Sequence, residues 1–389
     1  MRLEAGFIRS FDDALSCVPV DVLSQFEGAL KHKALLNLLQ LPVSEPFEAF
    51  DDAPELTTLD YASPLCSLGT RAVGEHQVAF CVLAGGAPWR LNSSSDALTP
   101  IPGVGMPMLY HKIVDIASST GSSPFNKSFP RTWIIIDPTQ RSSIERIVWP
   151  DGLTYSTFLG SKHAFSENIQ FLNQFQTFAL TPLCSPIVNN DTPLGLPAGS
   201  GDAIEVLTFA GVLKEFIDNG GKYVVFSNAN NASNGSYLHA LLGQHISSQA
   251  DATCLTVPRL KGDVGGSVMY ADGKLIVVED DVLMSPVGFE QKYLNTGTFV
   301  VNVHALTSAV EVPWRYVRTA VNTHNSIMLA YRRKITQVFE HLQRVQYVVA
   351  KRRTTPRVQM LWQNRFVFSS SPYMPLRNVT DVNLFQSVT

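Results

Sequence analysis

An apolar run from Val78 to Ala84 ends at Gly85-Gly86, and a connection rich in proline and glycine then leads to helical periodicity at 108–118. A buried strand followed by a glycine turn and a helix is the repeating unit of layered α/β proteins. Glycine lets the backbone approach a ligand closely, and free amides near the start of a helix bind phosphate. The stretch predicts an α/β fold with a phosphate loop after a central strand.

The same alternation of strand and helix continues along the chain, which favours a mixed sheet flanked by helices. The carboxyl ends of such strands are where ligands gather, so Gly85-Gly86 and Asn228–Asn231 are expected to be neighbours in space. Further predicted strands are 132–137, 153–158, 222–227, 252–257, 266–270, 274–278, 295–302, 345–350 and 365–369, and further predicted helices are 139–148, 203–219, 303–309 and 323–343.

The N-terminal part differs in pattern from the rest. Residues 11–41 carry apolar side chains at three- and four-residue spacing, which predicts two short amphipathic helices. Residues 42–64 are rich in proline and acidic side chains and are typical of an irregular connection. Residues 1–64 are therefore predicted to form a helical cap with its connection.

Charge is distributed unevenly along the chain. Residues 1–312 carry 18 Lys and Arg against 31 Asp and Glu, whereas residues 313–389 carry 12 against 2. A basic segment can bind polyphosphate, nucleic acid or an acidic membrane, or can pair with the acidic part of its own fold. Because the basic residues occur in short clusters rather than in a long tail, internal pairing or a solvated face is the preferred interpretation.

Several classes of protein are disfavoured by composition. No apolar run approaches the roughly 20 residues of a membrane span, and the charged N-terminus does not resemble a secretory signal, so we expect a cytoplasmic protein without a membrane partner. The five cysteines are far apart and form no C-x-x-C pair, which argues against a disulfide framework or a zinc site.

Five stretches, taken in order, resemble the UDP-sugar pyrophosphorylase family, which includes UTP:glucose-1-phosphate uridylyltransferases and UDP-N-acetylhexosamine pyrophosphorylases. A weaker sixth match is the run 374–378 near the end of the chain. The five stretches are 83–86 with Arg90-Leu91, 197–202, 223–231, 263–267 with the 273–279 hairpin, and 295–302.

The resemblance implies a GT-A-like nucleotidyltransferase fold over residues 65–312, with the basic segment 313–389 completing or capping the site. The implied reaction joins a sugar-1-phosphate to a nucleoside triphosphate, UTP being favoured, and releases pyrophosphate and a nucleotide sugar with the help of Mg²⁺. Such chemistry depends on positioning and on charge neutralisation at the phosphates.

The resemblance also assigns residues to the site. Arg90 and Arg377 are the implied catalytic cations, Arg377 standing in for a phosphate-binding lysine, and Asn230 takes the metal position. The implied nucleotide-binding residues are Gly85, Gly86, Arg90, Gly199, Gly201, Asp202 and Asn228, and the implied sugar-binding residues are Gly265, Gly266, Glu279 and Asn295.

Three positions depart from the family pattern. Pro88 lies where a glycine loop is expected and removes an amide donor, and Leu98 aligns with the expected lysine. Asn230 replaces the expected aspartate, and an amide is a poorer ligand for Mg²⁺ than a carboxylate. Compensation by Asp280-Asp281, by Lys112 or Lys261, or by the basic C-terminal segment is conceivable, although an exposed loop and a helix-surface lysine are the simpler interpretations of the acidic pair and of Lys112.

These departures leave three hypotheses open. In the first, the chain is an active nucleotidyltransferase with altered substrate or metal use. In the second, it is a catalytically silent relative that binds a nucleotide, a nucleotide sugar or a sugar phosphate, or that serves a structural or regulatory role. The third is a GT-A-like glycosyltransferase or a nucleic-acid-associated protein that uses the basic segment.

Overall fold

The fold is described from a computed structural model, in 17 stretches of the chain. The described residues are 51–86, 97–99, 107–121, 129–141, 169–180, 187–189, 192–193, 195–231, 235–260, 263, 265–271, 273–279, 292–307, 315–321, 326–352, 358–361 and 365–368. The predicted N-terminal helices at 11–41 and the predicted strand at 153–158 lie outside these residues.

A mixed sheet of 11 strands forms the centre of the molecule. Its main path runs in the order β2-β17-β11-β14-β10-β3-β4-β5, and β1, β12 and β13 extend it beside β14. The strands are β1 (Asp51–Asp52), β2 (Thr57–Thr58), β3 (Val78–Leu83), β4 (Thr132–Ile136), β5 (Ile169–Asn173), β10 (Tyr223–Asn228), β11 (Ala252–Pro258), β12 (Ser267–Ala271), β13 (Lys274–Val278), β14 (Tyr293–Asn302) and β17 (Val345–Val349).

Along the main path of this sheet most neighbouring strands are parallel, and β14 is the exception; the added strands β1, β12 and β13 pair in antiparallel fashion. Strands β10, β3, β4 and β5 pair in parallel, as do β11, β17 and β2, whereas β14 runs antiparallel to both β10 and β11. The start of β14 therefore lies at the same edge as the carboxyl ends of its two neighbours and of the other parallel strands of the main path.

Smaller sheets contain the remaining strands. A second sheet has the order β15-β16-β6-β9, and two hairpins pair β7 with β8 and β18 with β19. These strands are β6 (Gln176–Leu180), β7 (Val188–Asn189), β8 (Thr192–Pro193), β9 (Gly195–Pro197), β15 (Arg315–Val321), β16 (Ser326–Arg332), β18 (Val358–Leu361) and β19 (Arg365–Phe368).

Seven described α-helices accompany the sheets, and none of them is long and apolar enough to cross a bilayer. Short 3-10 turns cover Pro138–Gln140, Ser200–Asp202 and Gly235–Tyr237. The helices are α1 (Cys66–Gly74), α2 (Met108–Thr120), α3 (Ala203–Phe209), α4 (Val212–Asp218), α5 (Leu238–Ser248), α6 (Val303–Thr307) and α7 (Thr336–Phe339).

Two hydrophobic cores lie on opposite faces of the central sheet. Along β3, Phe80 and Val82 belong to one core with α2 and α5, while Ala79 and Cys81 belong to the other with α3, α4 and α7. This alternation follows from the two-residue period of a strand, and both faces are apolar because helices cover both. Trp133 of β4 meets Phe216 of α4 edge to face, with ring centroids 5.6 Å apart. The predicted mixed sheet flanked by helices is confirmed.

Two predicted helices are wrong in detail. Within 323–343 the structure places strand β16, and only Thr336–Phe339 is α-helical. Strand β16 pairs with β15 from Arg332 to Ser326, and this distant partner, which local periodicity does not reveal, overrides the helical pattern. The predicted helix 203–219 is interrupted between α3 and α4, where Gly211 has a φ of 73° that ends the first helix.

The central sheet draws strands from all three predicted segments of the chain. Strand β2 lies before residue 65 and pairs with β17, which lies after residue 312. The predicted irregular connection 42–64 thus contributes two short strands. The division at residues 64 and 312 and the GT-A-like classification stay predictions.

Candidate functional site

The carboxyl ends of β3 and β10 lie side by side, which confirms the expected proximity of Gly85-Gly86 and Asn228–Asn231. Leu83 and Asn228 are register partners in this parallel pair, and the Ala229 amide donates to the Leu83 carbonyl at 2.9 Å. On the other side of β3, the Ala84 amide donates to the Ile135 carbonyl at 2.8 Å. The glycine loop therefore leaves from the middle of the sheet.

Gly85 is packed against the side chain of Gln174, which follows β5. A Cβ atom on Gly85 would lie 1.8 Å from Gln174 Oε1, so any larger residue requires this side chain to move. Gln174 Nε2 donates to the Gly199 carbonyl at 2.9 Å, and its Oε1 is buried and accepts no hydrogen bond from the described residues. The carboxamide thus connects two of the glycine loops, and its oxygen is a buried acceptor without a donor among the described residues.

The loop Gly199–Asp202 is fixed to the backbone of Arg333. The Gly201 amide donates to the Arg333 carbonyl at 3.0 Å, and the Arg333 amide donates to the Ala198 carbonyl at 2.8 Å. Gly199 has a φ of 101°, and a Cβ there would lie 2.3 Å from the Arg333 carbonyl oxygen. Both glycines are therefore required by close backbone packing, whatever their role toward a nucleotide.

Asp202 lies behind this loop and is fully buried. Its Oδ2 accepts from the Phe175 amide at 2.9 Å, and its Oδ1 accepts from Gln174 Nε2 at 3.4 Å. Burial raises the pKa of Asp202 to about 7, although the nearby Arg333 and these two hydrogen bonds oppose the shift. The carboxyl group acts on the loop and on Gln174, and its acceptor atoms are occupied by protein donors.

The four predicted sugar-binding residues also come together. The Asn295 amide donates to the Gly266 carbonyl at 2.8 Å, and a Cβ on Gly266 would lie 3.2 Å from Glu279 Oε1. The Gly265 carbonyl accepts from Arg259 Nη1 at 2.9 Å, which holds the glycine turn in place. We call Gly265, Gly266, Glu279 and Asn295 the sugar side, and Gly85, Gln174 and Gly199–Asp202 the nucleotide side.

A bulge at the start of β14 connects Asn228 to the sugar side. The register between β11 and β14 shifts after Leu255, and Gly297 takes a φ of 72°. The Gly297 amide donates to Asn295 Oδ1 at 2.9 Å, and a Cβ on Gly297 would lie 2.2 Å from Asn228 Nδ2. The amide side chains of Asn228 and Asn295 thus meet the same glycine.

The basic C-terminal segment pairs with acidic residues of the preceding part of the fold, which supports the preferred interpretation of its charge. Arg333 Nη1 lies 2.6 Å from Glu205 Oε1, and Lys334 Nζ lies 3.3 Å from Glu279 Oε2. Further pairs join Arg344 to Asp251 and Arg352 to Asp263. Sequence reasoning did not single out Lys334 or Gln174, because only folding brings them beside the glycine loops.

Leu98 and Lys112 behave differently from their sequence-based interpretations. Leu98 is 7% exposed and belongs to the core that contains α2, so no cation acts from that position. Lys112 was expected on a helix surface, and this is wrong, because it is 2% exposed beside Asp115 under the sheet. Burial lowers the pKa of Lys112 and raises that of Asp115 to about 6, and each group opposes the other's shift.

The residues at the predicted metal position do not form a favourable magnesium site. Asn228, Asn230 and Asn231 offer neutral amides, and nowhere among the described residues do three His, Cys, Asp or Glu side chains cluster as metal ligands. Asp137, a carboxylate at the end of β4, already accepts from the Thr139 amide at 2.8 Å and from Gln176 Nε2 at 3.1 Å. We derive no step through a metal ion.

Several predicted residues lie outside the part of the chain that the structure describes. These are Arg90, Arg377, Pro88, Lys261 and the pair Asp280-Asp281. Their proposed roles stay predictions.

Comparisons with known proteins agree with the architecture. Residues 163–342 match the family model of UTP–glucose-1-phosphate uridylyltransferase. A mutant UDP-glucose pyrophosphorylase from Leishmania major, solved with UDP-glucose, has a TM-score of 0.69 at 14% identity, covering 98% of this chain and 79% of that one. No curated protein sequence matches the chain significantly.

Two structures from Trypanosoma brucei are also similar. Its UDP-glucose phosphorylase has a TM-score of 0.65 at 17% identity, covering 94% of this chain and 82% of that one. Its UDP-N-acetylglucosamine pyrophosphorylase has a TM-score of 0.62 at 16% identity, covering 94% and 74%. These matches confirm the resemblance to the UDP-sugar pyrophosphorylases that the sequence motifs indicate.

Proposed function

We propose that this relative of the UDP-sugar pyrophosphorylases transfers a nucleotidyl group from a nucleoside triphosphate, UTP being favoured, to a sugar-1-phosphate. The observation that carries the proposal is a continuous line of contacts that begins at the carboxyl edge of the central sheet and passes through loops that follow strands of the second sheet. It runs from Gly85 through Gln174 to Gly199, then through Arg333 and Lys334 to Glu279 and Gly266. Such an edge suits an elongated ligand with a base at one end and a sugar at the other.

In the proposed reaction a phosphate oxygen of the sugar-1-phosphate attacks the α-phosphorus of the triphosphate. The new P–O bond forms as the bond to the β-phosphate oxygen breaks, and pyrophosphate leaves with the electron pair. Catalysis of this kind requires in-line positioning and neutralisation of charge on the phosphates. The chain's own part is to hold both substrates in line with each other.

Gln174 is the proposed base-reading residue of the nucleotide side. A carboxamide oxygen accepts a hydrogen bond from an imide N–H, the donor that uracil presents and cytosine lacks. The buried Gln174 Oε1 has no donor among the described residues, and a buried acceptor gains most from a ligand that satisfies it. Gln174→Leu should therefore weaken binding of uridine nucleotides about tenfold, by analogy with the loss of one buried hydrogen bond.

The proposal is tested by following pyrophosphate release. The purified protein is incubated with each nucleoside triphosphate, with glucose-1-phosphate or N-acetylglucosamine-1-phosphate, and with Mg²⁺ or Mn²⁺. We expect release that depends on both substrates and is greatest with UTP. The matched control is Lys214→Met, which removes a lysine that is 79% exposed on α4 and should leave the rate unchanged. If no substrate pair releases pyrophosphate above the buffer rate, the transferase proposal is wrong.

The second candidate function is binding without turnover, and two observations favour it. Leu98 packs in the core where a catalytic lysine is expected, and Asn230 brings no negative charge to the metal position. UDP-glucose would then raise the melting temperature, because a ligand that binds only the folded state stabilises it, while no pyrophosphate is formed.

Because Leu98 is buried, it is not a suitable position for a substitution meant to restore activity to a protein that binds without turnover. Leu98→Lys would place an unpaired ammonium in a hydrophobic core, so loss of folding would obscure any gain in chemistry. Asn230→Asp is the cleaner substitution, since Asn230 is only partly buried. Metal-dependent pyrophosphate release that appears in Asn230→Asp alone would identify the missing carboxylate as the cause of silence.

A further inference from the structure

Lys334 occupies the gap between the nucleotide side and the sugar side. Its backbone amide would lie 2.9 Å from a Cβ on Gly201, and its Nζ lies 3.3 Å from Glu279 Oε2, next to Gly266. In a nucleotide sugar, the group that separates the base and ribose from the sugar is a diphosphate. The ammonium group therefore stands where this proposed ligand carries its negative charge.

We propose that Lys334 is the cation that binds the diphosphate of the nucleotide sugar, and that Glu279 holds it in place when the ligand is absent. The inference rests on the proposed function only for the identity of the ligand, a nucleoside diphosphate with or without a sugar. It assigns a binding role to a residue outside all the motifs that carry the family resemblance.

The backbone on either side of Lys334 is fixed. Arg333 exchanges hydrogen bonds with Ala198 and Gly201, and the Ile335 amide donates to Ser200 Oγ at 3.1 Å. The amide of Lys334 itself donates to Gln337 Oε1 at 2.6 Å. The lysine is thus anchored to the nucleotide loop, and only its side chain is left to move, which reduces the entropy lost when it binds an anion.

The side chain of Lys334 is accessible, in contrast to that of its neighbour. Lys334 is 31% exposed and its partner Glu279 is 17% exposed, whereas Arg333 is 5% exposed in its pair with Glu205. A single ammonium–carboxylate contact at 3.3 Å is a weak interaction in partly solvated surroundings. Lys334 can therefore turn from one carboxylate to a diphosphate, which carries more negative charge.

The charge pattern of the edge supports this role. Position 98 is a leucine in the hydrophobic core and supplies no positive charge. Arg333, which lies on the line from Gly85 to Glu279, is paired with Glu205 through two contacts at 2.6 and 3.0 Å. Phosphoryl chemistry requires cations at the phosphates, and lysine serves there as a point charge. Lys334 provides such a charge at the centre of the edge.

The experiment compares binding of UDP and of uridine to the full-length protein, by calorimetry for UDP and by ligand-observed NMR for uridine. Lys334→Met should weaken UDP binding about tenfold and leave uridine binding within about twofold, because uridine carries no phosphate. Lys334→Arg should retain most of the UDP affinity. Glu279→Gln should strengthen UDP binding about twofold to threefold, since it removes a competing anion. Lys214→Met is the matched control for loss of one positive charge.

The inference would be overturned by absence of UDP binding to the unmodified protein, by UDP binding that Lys334→Met leaves unchanged, or by equal losses for UDP and uridine. Recovery of full UDP affinity in Lys334→Met/Glu279→Gln would also overturn it, because the lysine would then only neutralise Glu279. Pyrophosphate release is measured separately. If the protein binds UDP through Lys334 but releases no pyrophosphate, this inference is supported and transferase activity is refuted. If the protein releases pyrophosphate and its UDP affinity is insensitive to Lys334→Met, transferase activity is supported and this inference is refuted.

Discussion

The nucleotide side and the sugar side of the candidate site use their polar groups in different ways. On the nucleotide side, Asp202 and Arg333 are buried, and each is engaged by protein partners. On the sugar side, Glu279 pairs with Lys334 from the gap between the two sides, and this pair is partly exposed and has a single contact at 3.3 Å. The charged groups of the nucleotide side hold a loop in place, whereas those of the sugar side are accessible to a ligand.

This difference predicts where substitutions will act. Changes on the nucleotide side should lower the free energy of unfolding, because they leave close packing or buried polar groups unsatisfied. Changes on the sugar side should alter binding and leave stability nearly unchanged, because partly exposed ion pairs contribute little to folding. A stability effect of equal size on both sides would break the comparison.

The largest effect is expected for Gly199→Ala. The added Cβ would lie 2.3 Å from the Arg333 carbonyl oxygen, and the backbone φ of 101° is unfavourable for alanine. Strain and overpacking together should reduce the free energy of unfolding by about 4 kcal/mol, measured by urea denaturation. The control is Gly211→Ala, which has a positive φ of 73° but open space around it and should cost about 1 kcal/mol. Equal losses for the two variants would contradict the role of the Arg333 contact.

The second prediction concerns Asp202 and pH. Its pKa is about 7 in the folded protein, above the value of 3.8 in the absence of burial, so the folded state holds a proton that the unfolded state releases. Stability from this group is full below pH 3.8 and is lost as pH rises to about 7. Asparagine does not titrate, so the free energy of unfolding of Asp202→Asn lacks this dependence on pH. The difference in that free energy between Asp202→Asn and the unmodified protein should therefore shift in favour of the variant by on the order of 3 kcal/mol as pH rises from 4.5 to 8.

The comparison with Asp202→Asn is needed because His245 titrates in the opposite sense. Burial lowers the pKa of His245 to about 4, which removes stability as pH falls below the usual histidine range. That contribution is common to both proteins and cancels in their difference. Denaturation curves at five or six pH values give the measurement, and parallel stability profiles would show that Asp202 is ionised like an ordinary carboxylate.

The third prediction separates two neighbouring cations. Arg333→Met should cost about 2 kcal/mol, because it leaves Glu205 and the glycine loop without a nearly buried guanidinium that bonds both carboxylate oxygens. Lys334→Met should cost less than about 1 kcal/mol, because its ion pair is partly solvated. Chemical denaturation of both variants at one pH provides the test. A loss in Lys334→Met as large as that in Arg333→Met would make Lys334 a structural residue.

Local patterns in the sequence were sufficient for the central strands and for the proximity of the two loops that follow β3 and β10. The strand ending at Gly85, the strand ending at Asn228 and the hairpin around Gly273 are all found where alternation and turn residues predict them. These elements have strong local signals, namely short apolar runs closed by glycine or asparagine. The neighbouring positions of the glycine loop and the asparagines then follow from parallel pairing alone.

What sequence patterns missed depends on distant partners. Strand β16 forms against β15, and Gln174 and Lys334 enter the site through contacts with Gly199 and Glu279, which are 25 and 55 residues away. Lys112 is predicted to lie on a helix surface, as a lone lysine of a helix usually does, yet both Lys112 and its neighbour Asp115 are buried. Polarity along a helix indicates its exposed face only when no buried partner compensates the charge.

The smallest expected effect tests whether Gln174 is held for a ligand or merely fills space beside Gly85. Gly85→Ala would place a Cβ 1.8 Å from Gln174 Oε1, at the end of a flexible side chain that can withdraw, so the cost should be only about 1 kcal/mol. In a Gln174→Ala background the same substitution should cost nothing, and the coupling in the double-mutant cycle should account for the whole effect. If Gln174 also reads a base, Gly85→Ala will weaken uridine binding by displacing the carboxamide, although alanine itself removes no hydrogen-bonding group. Uridine affinity unchanged by Gly85→Ala, together with full coupling in stability, would leave Gln174 with a packing role only and would place base recognition elsewhere on the nucleotide side.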